Sequence, residues 1–262
     1  MEQSCLDALD DWFEGYVQPY YATDPEGAKN IRMKVEHTRK VCEVMDLLTA
    51  GEGFSVRERR LAGAVALLHD VGRFPQYRRW RTFLDSISDN HARLAVEVIR
   101  EQKLLDGLAL EERLLIEEAV RFHNLLSVPR QLKPSSDLFV RLIRDADKLD
   151  IWRVFLDHFS TPEHERASAV QLGLPDRDEV TTACITALSN RQIVRLDTVT
   201  CVNDYKLLLI SWVFDLNFTT SYQLLQRNGY LDALVAELPE SDAVQTAVAS
   251  AQEYVAEKSG QV

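Results

Sequence analysis

Apolar residues recur three and four positions apart through most of the 262-residue chain, and no segment alternates apolar and polar side chains in the sustained way of a half-buried strand. That periodicity restricts the fold to packed amphipathic helices. Breakers are sparse, with 10 glycines and 8 prolines, so long helices with short connections are expected. A first helix is expected over about 4–20. Pro25 opens a second, which carries His37, runs to about Thr49 and is ended by Gly51-Glu52-Gly53. Ser55-Val56-Arg57-Glu58 reads as a capping box that starts a third helix through Leu61, Ala64, Val65 and Leu68. His69 and Asp70 fall in its last turn, and Gly72 and Pro75 are expected to stop it.

The next helix begins near Asp89-Asn90 and carries His91, Leu94, Ala95, Val98 and Ile99 on one face. Another covers about 111–124, with His123 at its C-terminal end, and Pro129 and Pro134 bracket a loop. Ser136 is expected to cap a long helix to about His158, with Phe139, Leu142, Ile143 and Ala146 as its apolar stripe. Pro162 to Asp178 is the most polar stretch and reads as a surface loop; helices over about 179–190, 203–227 and 241–258 follow. The fold class is all-α. The expected organisation is a core over residues 1–160 and a C-terminal helical layer over 161–262, together one compact domain.

A formal charge of −11 argues against bulk nucleic-acid or anionic-membrane binding. The N-terminus lacks the basic and apolar regions of a signal peptide, and the most apolar segment, about 207–218, is too short to span a membrane. Cys5, Cys42, Cys184 and Cys201 are widely scattered, which suits reduced thiols in a cytoplasmic protein.

Polar groups in apolar positions carry the chemistry. Four of the six histidines, His37, His69, His91 and His123, each fall on a different expected helix, near its end or on its apolar side. Asp147 follows Ala146 on the stripe of the long helix, where a carboxylate needs a neutralising partner. A bound cation is the simplest one, because imidazoles and carboxylates are good ligands for divalent first-row metals and a helical bundle can project them into one core site. His158 and His164 lie outside this pattern and are expected at the surface.

The order His37, then His69-Asp70, then Asp147 within Ala146-Asp147-Lys148-Leu149 resembles the signature of the HD-domain superfamily of metal-dependent phosphohydrolases. The interposed His91 and His123 resemble its six-ligand subset, which holds two ions. The resemblance covers about residues 30–155 and implies an HD-domain-like helical bundle. It implies that His37, His69, Asp70 and Asp147 hold one divalent ion, and that Asp70 bridges to a second held by His91 and His123. Candidate ions are Fe, Mn, Co and Zn, with Mg a further candidate, in one or two copies. Two cations about 3.5–4 Å apart can acidify a shared water and neutralise charge developing on a phosphoryl group. Acidic partners for the imidazoles are then expected, and Asp145 and Asp150 are the candidates.

Val71–Leu84, "VGRFPQYRRWRTFL", holds Arg73, Arg78, Arg79 and Arg81 and no acid. Read as a loop beside a metal site, it offers guanidinium forks to a small phosphorylated substrate. Many members of the superfamily have a lysine three residues after the His-Asp pair, and here that place is Arg73. Catalysis is therefore expected to centre on Asp70 and Arg73, with Arg73, Arg78 and Lys148 meeting the substrate. The bland alternative pairs these arginines with surface carboxylates and makes Tyr77, Trp80 and Phe83 anchors of the loop. Six such ligands also suit HD-type di-iron oxygenases, and the fold also suits a non-catalytic ligand sensor. A homodimer is compatible with the sequence.

Overall fold

The computed structural model describes residues 1–22, 24–170 and 173–260, and it is all-α, with no strand among the described residues. The helices are α1 (Gln3–Val17), α2 (Pro25–Gly51), α3 (Val56–Leu68), α4 (Arg73–Trp80), α5 (His91–Glu101), α6 (Leu110–Phe122), α7 (Pro134–Ser160), α8 (Thr182–Ser189), α9 (Val202–Ser211), α10 (Thr219–Arg227), α11 (Tyr230–Ala236) and α12 (Asp242–Lys258). The chain divides into two compact units. One comprises residues 1–150 and 161–170, the other 151–160 and 171–262. Among the described residues no helix is long and apolar enough to cross a membrane.

In the first unit α3 is the central element. Leu61, Ala62, Ala64, Val65, Ala66, Leu67 and Leu68 are all buried. A helical stretch apolar on every side, as 61–68 is, has to be surrounded, and α3 packs against α1, α2 and α6. Its start is fixed locally. The Ser55 hydroxyl accepts from the Glu58 amide and the Glu58 carboxylate accepts from the Ser55 amide, the reciprocal pair that satisfies two otherwise orphaned N–H groups. A Ser55→Ala protein should lose about 1 kcal/mol of stability, read as a lower denaturant midpoint at unchanged slope; an unchanged midpoint would mean the box does not hold the helix.

The segment after α3 departs from the sequence expectation. Residues 73–80 are helical rather than a loop. Pro75 is the third residue of α4, inside the first turn, where a missing N–H costs no intrahelical bond. The Gln76 amide donates to the Gly72 carbonyl at 3.1 Å, and the helix ends at Arg81 in the left-handed region, φ 56°. Likewise, α7 begins at Pro134, so Ser136 sits inside its first turn instead of capping it. Tyr77 is buried and stacks against Phe83 at 4.9 Å, the anchoring reading of these aromatics.

The second unit contains α8–α12 and the last turns of α7. Trp152 donates from Nε1 to the Leu209 carbonyl at 3.0 Å, and Phe155 packs on Tyr205. The expected helix over 203–227 is interrupted. α9 stops at Ser211, a 3-10 turn covers Trp212–Asp215, and α10 starts at Thr219. The break leaves carbonyls unpaired, and the buried Tyr222 hydroxyl donates toward those of Leu216 (2.9 Å) and Val213 (3.1 Å). A helix over Tyr230–Ala236 follows Gly229, whose φ of 66° suits glycine. The polar stretch from Pro162 to Asp178 contains two 3-10 turns, Glu163–Glu165 and Ser168–Val170, and its residues 171–172 lie outside the described residues. His158 is buried against Phe159, contrary to its expected surface position, whereas His164 is exposed.

Candidate metal centre

Five helices deliver side chains to one point in the first unit. His37 comes from the middle of α2, and His69 and Asp70 from the end of α3. His91 is the first residue of α5, held there by the Asn90 side chain, which accepts from the Arg93 amide. His123 caps α6, and Asp147 lies on α7. His69 and His123 are placed by the same local device. Each follows a helix whose last carbonyls lack intrahelical partners, and each donates its Nδ1–H to the carbonyl three residues back, Ala66 and Val120 respectively, at 2.7 Å.

The other two imidazoles are pinned by acids. Nδ1 of His37 lies 2.7 Å from Asp150, and Nδ1 of His91 lies 2.7 Å from Asp85 Oδ2. A carbonyl or carboxylate can only accept, so all four rings carry hydrogen on Nδ1 and turn Nε2 inward, where a neutral ring presents a lone pair. Nε2 of His37 and of His69 is buried and makes no hydrogen bond. Nε2 of His91 faces Nε2 of His123 at 3.1 Å. Burial, helped by Arg73, pushes the His91 imidazole down to about 4, and burial, helped by His69, does the same to His123. Both rings are therefore neutral near pH 7, and the 3.1 Å contact sets lone pair against lone pair.

Carboxylates complete the arrangement. Asp70 divides its two oxygens. Oδ2 lies 3.7 Å from His37 Nε2 and 3.8 Å from His69 Nε2, while Oδ1 lies 3.5 Å from His91 Nε2. Two groups follow, His37–His69–Asp70 and Asp70–His91–His123, the ligand atoms of each within 4.8 Å of one another. Asp147 joins the first, with Oδ1 3.1 Å from His37 Nε2 and 3.8 Å from His69 Nε2. Burial favours a protonated Asp70, but Lys34, His69, Arg73 and His91 hold it well below the usual carboxylate range. Asp147 is lowered too, burial opposing and His37 chiefly responsible. Burial and Lys34 press His37 downward, and Asp147 and Asp150 still keep it above the usual imidazole value. Buried lone pairs converging on ionised carboxylates are costly on their own. A divalent cation is the partner that this donor set fits.

Around these candidate ligands, Asp85 is a hub that sequence reasoning missed. Besides His91 it accepts from Arg73 Nη1 (3.0 Å), Gln76 Nε2 (2.9 Å) and Asn124 Nδ2 (3.1 Å). His91 and Arg73 bring its carboxyl down to about 2 against the opposing effect of burial. An Asp85→Asn protein should bind metal roughly 10–100-fold more weakly with its helicity unchanged. Competition against a chelator reads this, and equal affinity would exclude Asp85 as the support of His91.

The expected substrate cations are placed unequally. Arg73 Nη1 also donates to Gln76 Oε1 and the Phe83 carbonyl, and its Nε lies 3.4 Å from Asp70 Oδ1. Arg78 is seated elsewhere, donating to the Pro19 carbonyl and lying over the Tyr20 ring at 3.8 Å. Arg81 pairs with Asp24, as the surface-pairing alternative expects. Lys148 is buried next to Asp147, about 100° further round α7. Arg144 donates to the carbonyls of His123 and Leu125 and fixes the end of α6. Lys34, also missed, donates to Asp70 Oδ2 at 2.9 Å. Its position one turn before His37 on α2 was the available signal.

The family model described as HD domain matches residues 35–152. No curated protein and no solved structure matches the chain.

Proposed function

We propose, from the match of residues 35–152 to the HD domain family model and from the geometry of the centre, that the chain is a divalent-metal-dependent phosphohydrolase of a small phosphorylated metabolite or nucleotide. The observation that carries the reading is Asp70, whose two oxygens face two separate imidazole groups. His37, His69, Asp70 and Asp147 are the residues to hold one ion, and Asp70, His91 and His123 those to hold a second. Ions held by such ligands supply an acidified water and positive charge for a phosphoryl group.

The chain's own residues do the rest. Asp150 and Asp85 keep His37 and His91 in the tautomer that presents Nε2. The carbonyls of Ala66 and Val120 do the same for His69 and His123. Arg73 bridges Asp70 and Asp85 and so orients one ligand and the support of another. Asp147, with 21% of its side chain exposed, marks the side on which water and substrate reach the ligands.

The test is metal analysis followed by a panel of phosphomonoesters and phosphodiesters, nucleotides included, with Mn, Fe, Co, Zn or Mg. Phosphate release that needs added metal and stops with chelator is the expected result. Absence of turnover on the whole panel at full metal occupancy would overturn the reading, and substrate-dependent O₂ uptake by the iron form would replace it with oxygenase chemistry.

A further inference from the structure

Two cations attend Asp70, one on each oxygen, and their situations differ. On the Oδ1 side, Arg73 is held in place. Its Nη1 already donates to Gln76 Oε1 at 3.0 Å, the Phe83 carbonyl at 2.6 Å and Asp85 Oδ1 at 3.0 Å. One edge of the guanidinium is thus fixed on three protein acceptors, and its Nε is buried without a hydrogen bond, so the group is anchored where it stands. On the Oδ2 side, Lys34 donates to one acceptor among the described residues, Asp70 itself, at 2.9 Å. An ammonium has three N–H donors. The side chain keeps 14% of its surface exposed, and its charge lies 5.5 Å from the centre of the Phe83 ring.

Asp70 Oδ2 is also the oxygen that faces His37 and His69. An ammonium and a divalent ion therefore compete for it. When the ion takes the oxygen, the part-exposed Lys34 ammonium is left free to meet another anion at the edge of the same centre. Its four-carbon stem gives it the reach to do so, whereas the rigid guanidinium fork of Arg73 stays with its acceptors. Resting on the phosphohydrolase reading, we propose that Lys34, rather than Arg73, makes the direct contact to a phosphoryl oxygen of the substrate, and that metal binding releases it from Asp70 for that task. Arg73 is then a positioning residue, acting through Asp70 and Asp85. Phe83 backs the ammonium on its apolar side and limits where the released charge can go.

The experiment measures two affinities on Lys34→Met, Lys34→Arg and the parent: that for metal, by chelator competition, and that of the metal-loaded protein for inorganic phosphate, by calorimetry. Lys34→Met should bind metal as tightly as the parent or more tightly, because Asp70 has lost a competitor. It should bind phosphate at least about tenfold more weakly, the loss of one charge-assisted hydrogen bond. Lys34→Arg should recover most of the phosphate affinity. Lys40→Met removes the same charge from a lysine paired with Glu43 on the exposed part of α2, and should change phosphate affinity by less than about twofold.

Unchanged phosphate affinity in Lys34→Met, with the parent binding normally, would overturn the assignment and leave the hydrolase reading intact. Weakened metal binding in that variant would also overturn it, by making Lys34 a support of the centre. A fully metal-loaded parent that fails to bind phosphate would defeat the hydrolase reading, and this assignment with it.

Discussion

An Asp70→Asn protein should lose tight metal binding at both histidine groups together, and its metal-dependent activity should fall by more than the roughly 10–100-fold expected for removing an outer hydrogen-bond partner. The amide keeps the shape of the carboxylate, so packing at the end of α3 is preserved. Its electronic character is not. Asp70 presents Oδ2 to His37 and His69 and Oδ1 to His91. In asparagine one of those two positions becomes an NH₂ group, which has no lone pair for a cation. One group therefore loses a ligand atom outright, and the other keeps a neutral oxygen where it had an anionic one. His123→Ala, by contrast, removes a proposed ligand from only one group and should leave the His37–His69 side loaded. Metal content after desalting, read beside the helical circular dichroism signal, separates the cases. An Asp70→Asn protein that holds as much metal as the parent, equally tightly, would remove Asp70 from the centre.

What the sequence made legible, and what it hid, follows from how local each determinant is. The Ser55–Glu58 box and the Asn90 cap depend on neighbours three residues apart, so their helix starts could be read directly. The histidines and Asp147 stood out because polar groups on apolar faces need an explanation. Their supports were harder. Asp150 meets His37 across 113 positions and was anticipated only as one of two acids near Asp147. Asp85, six residues before His91, lies beyond a single helical turn, and only the fold of 73–90 brings it there. That fold was obscured by Pro75, which reads as a stop until its place in the first turn of α4 is known. The arginines of that segment looked alike in sequence. The helix separates them, sending Arg73 toward Asp70 and Arg78 onto Tyr20. Similarly, nothing in the composition of 203–227 marked the turn at Trp212–Asp215.

Gly72→Ala should be the most damaging small substitution outside the ligands. Gly72 has φ −69° and ψ −18°, a conformation any residue adopts, so backbone freedom does not explain it. Space does. A Cβ at this position would lie 2.1 Å from the His91 carbonyl oxygen, 2.4 Å from the Ala95 amide nitrogen and 3.0 Å from the Leu94 carbonyl carbon. These are backbone atoms and cannot rotate aside, so the first turn of α5 has to move, carrying His91 with it. Overpacking of this kind costs about 3 kcal/mol, which corresponds to a melting transition roughly 5–10 °C lower. The displacement has a second, selective consequence. His91 should leave Asp85 and Asp70, so on the two-ion proposal the His91–His123 group should lose its ion while His37, His69 and Asp147 keep theirs. Gly107→Ala is the control, because a Cβ there meets nothing within 4 Å. A Gly72→Ala protein that melts with the parent and holds the same metal would show that α4 and α5 can separate without cost. If it melts early and loses one ion of two, the glycine that looked like a helix stop is what lets α5 bring its histidine to the centre.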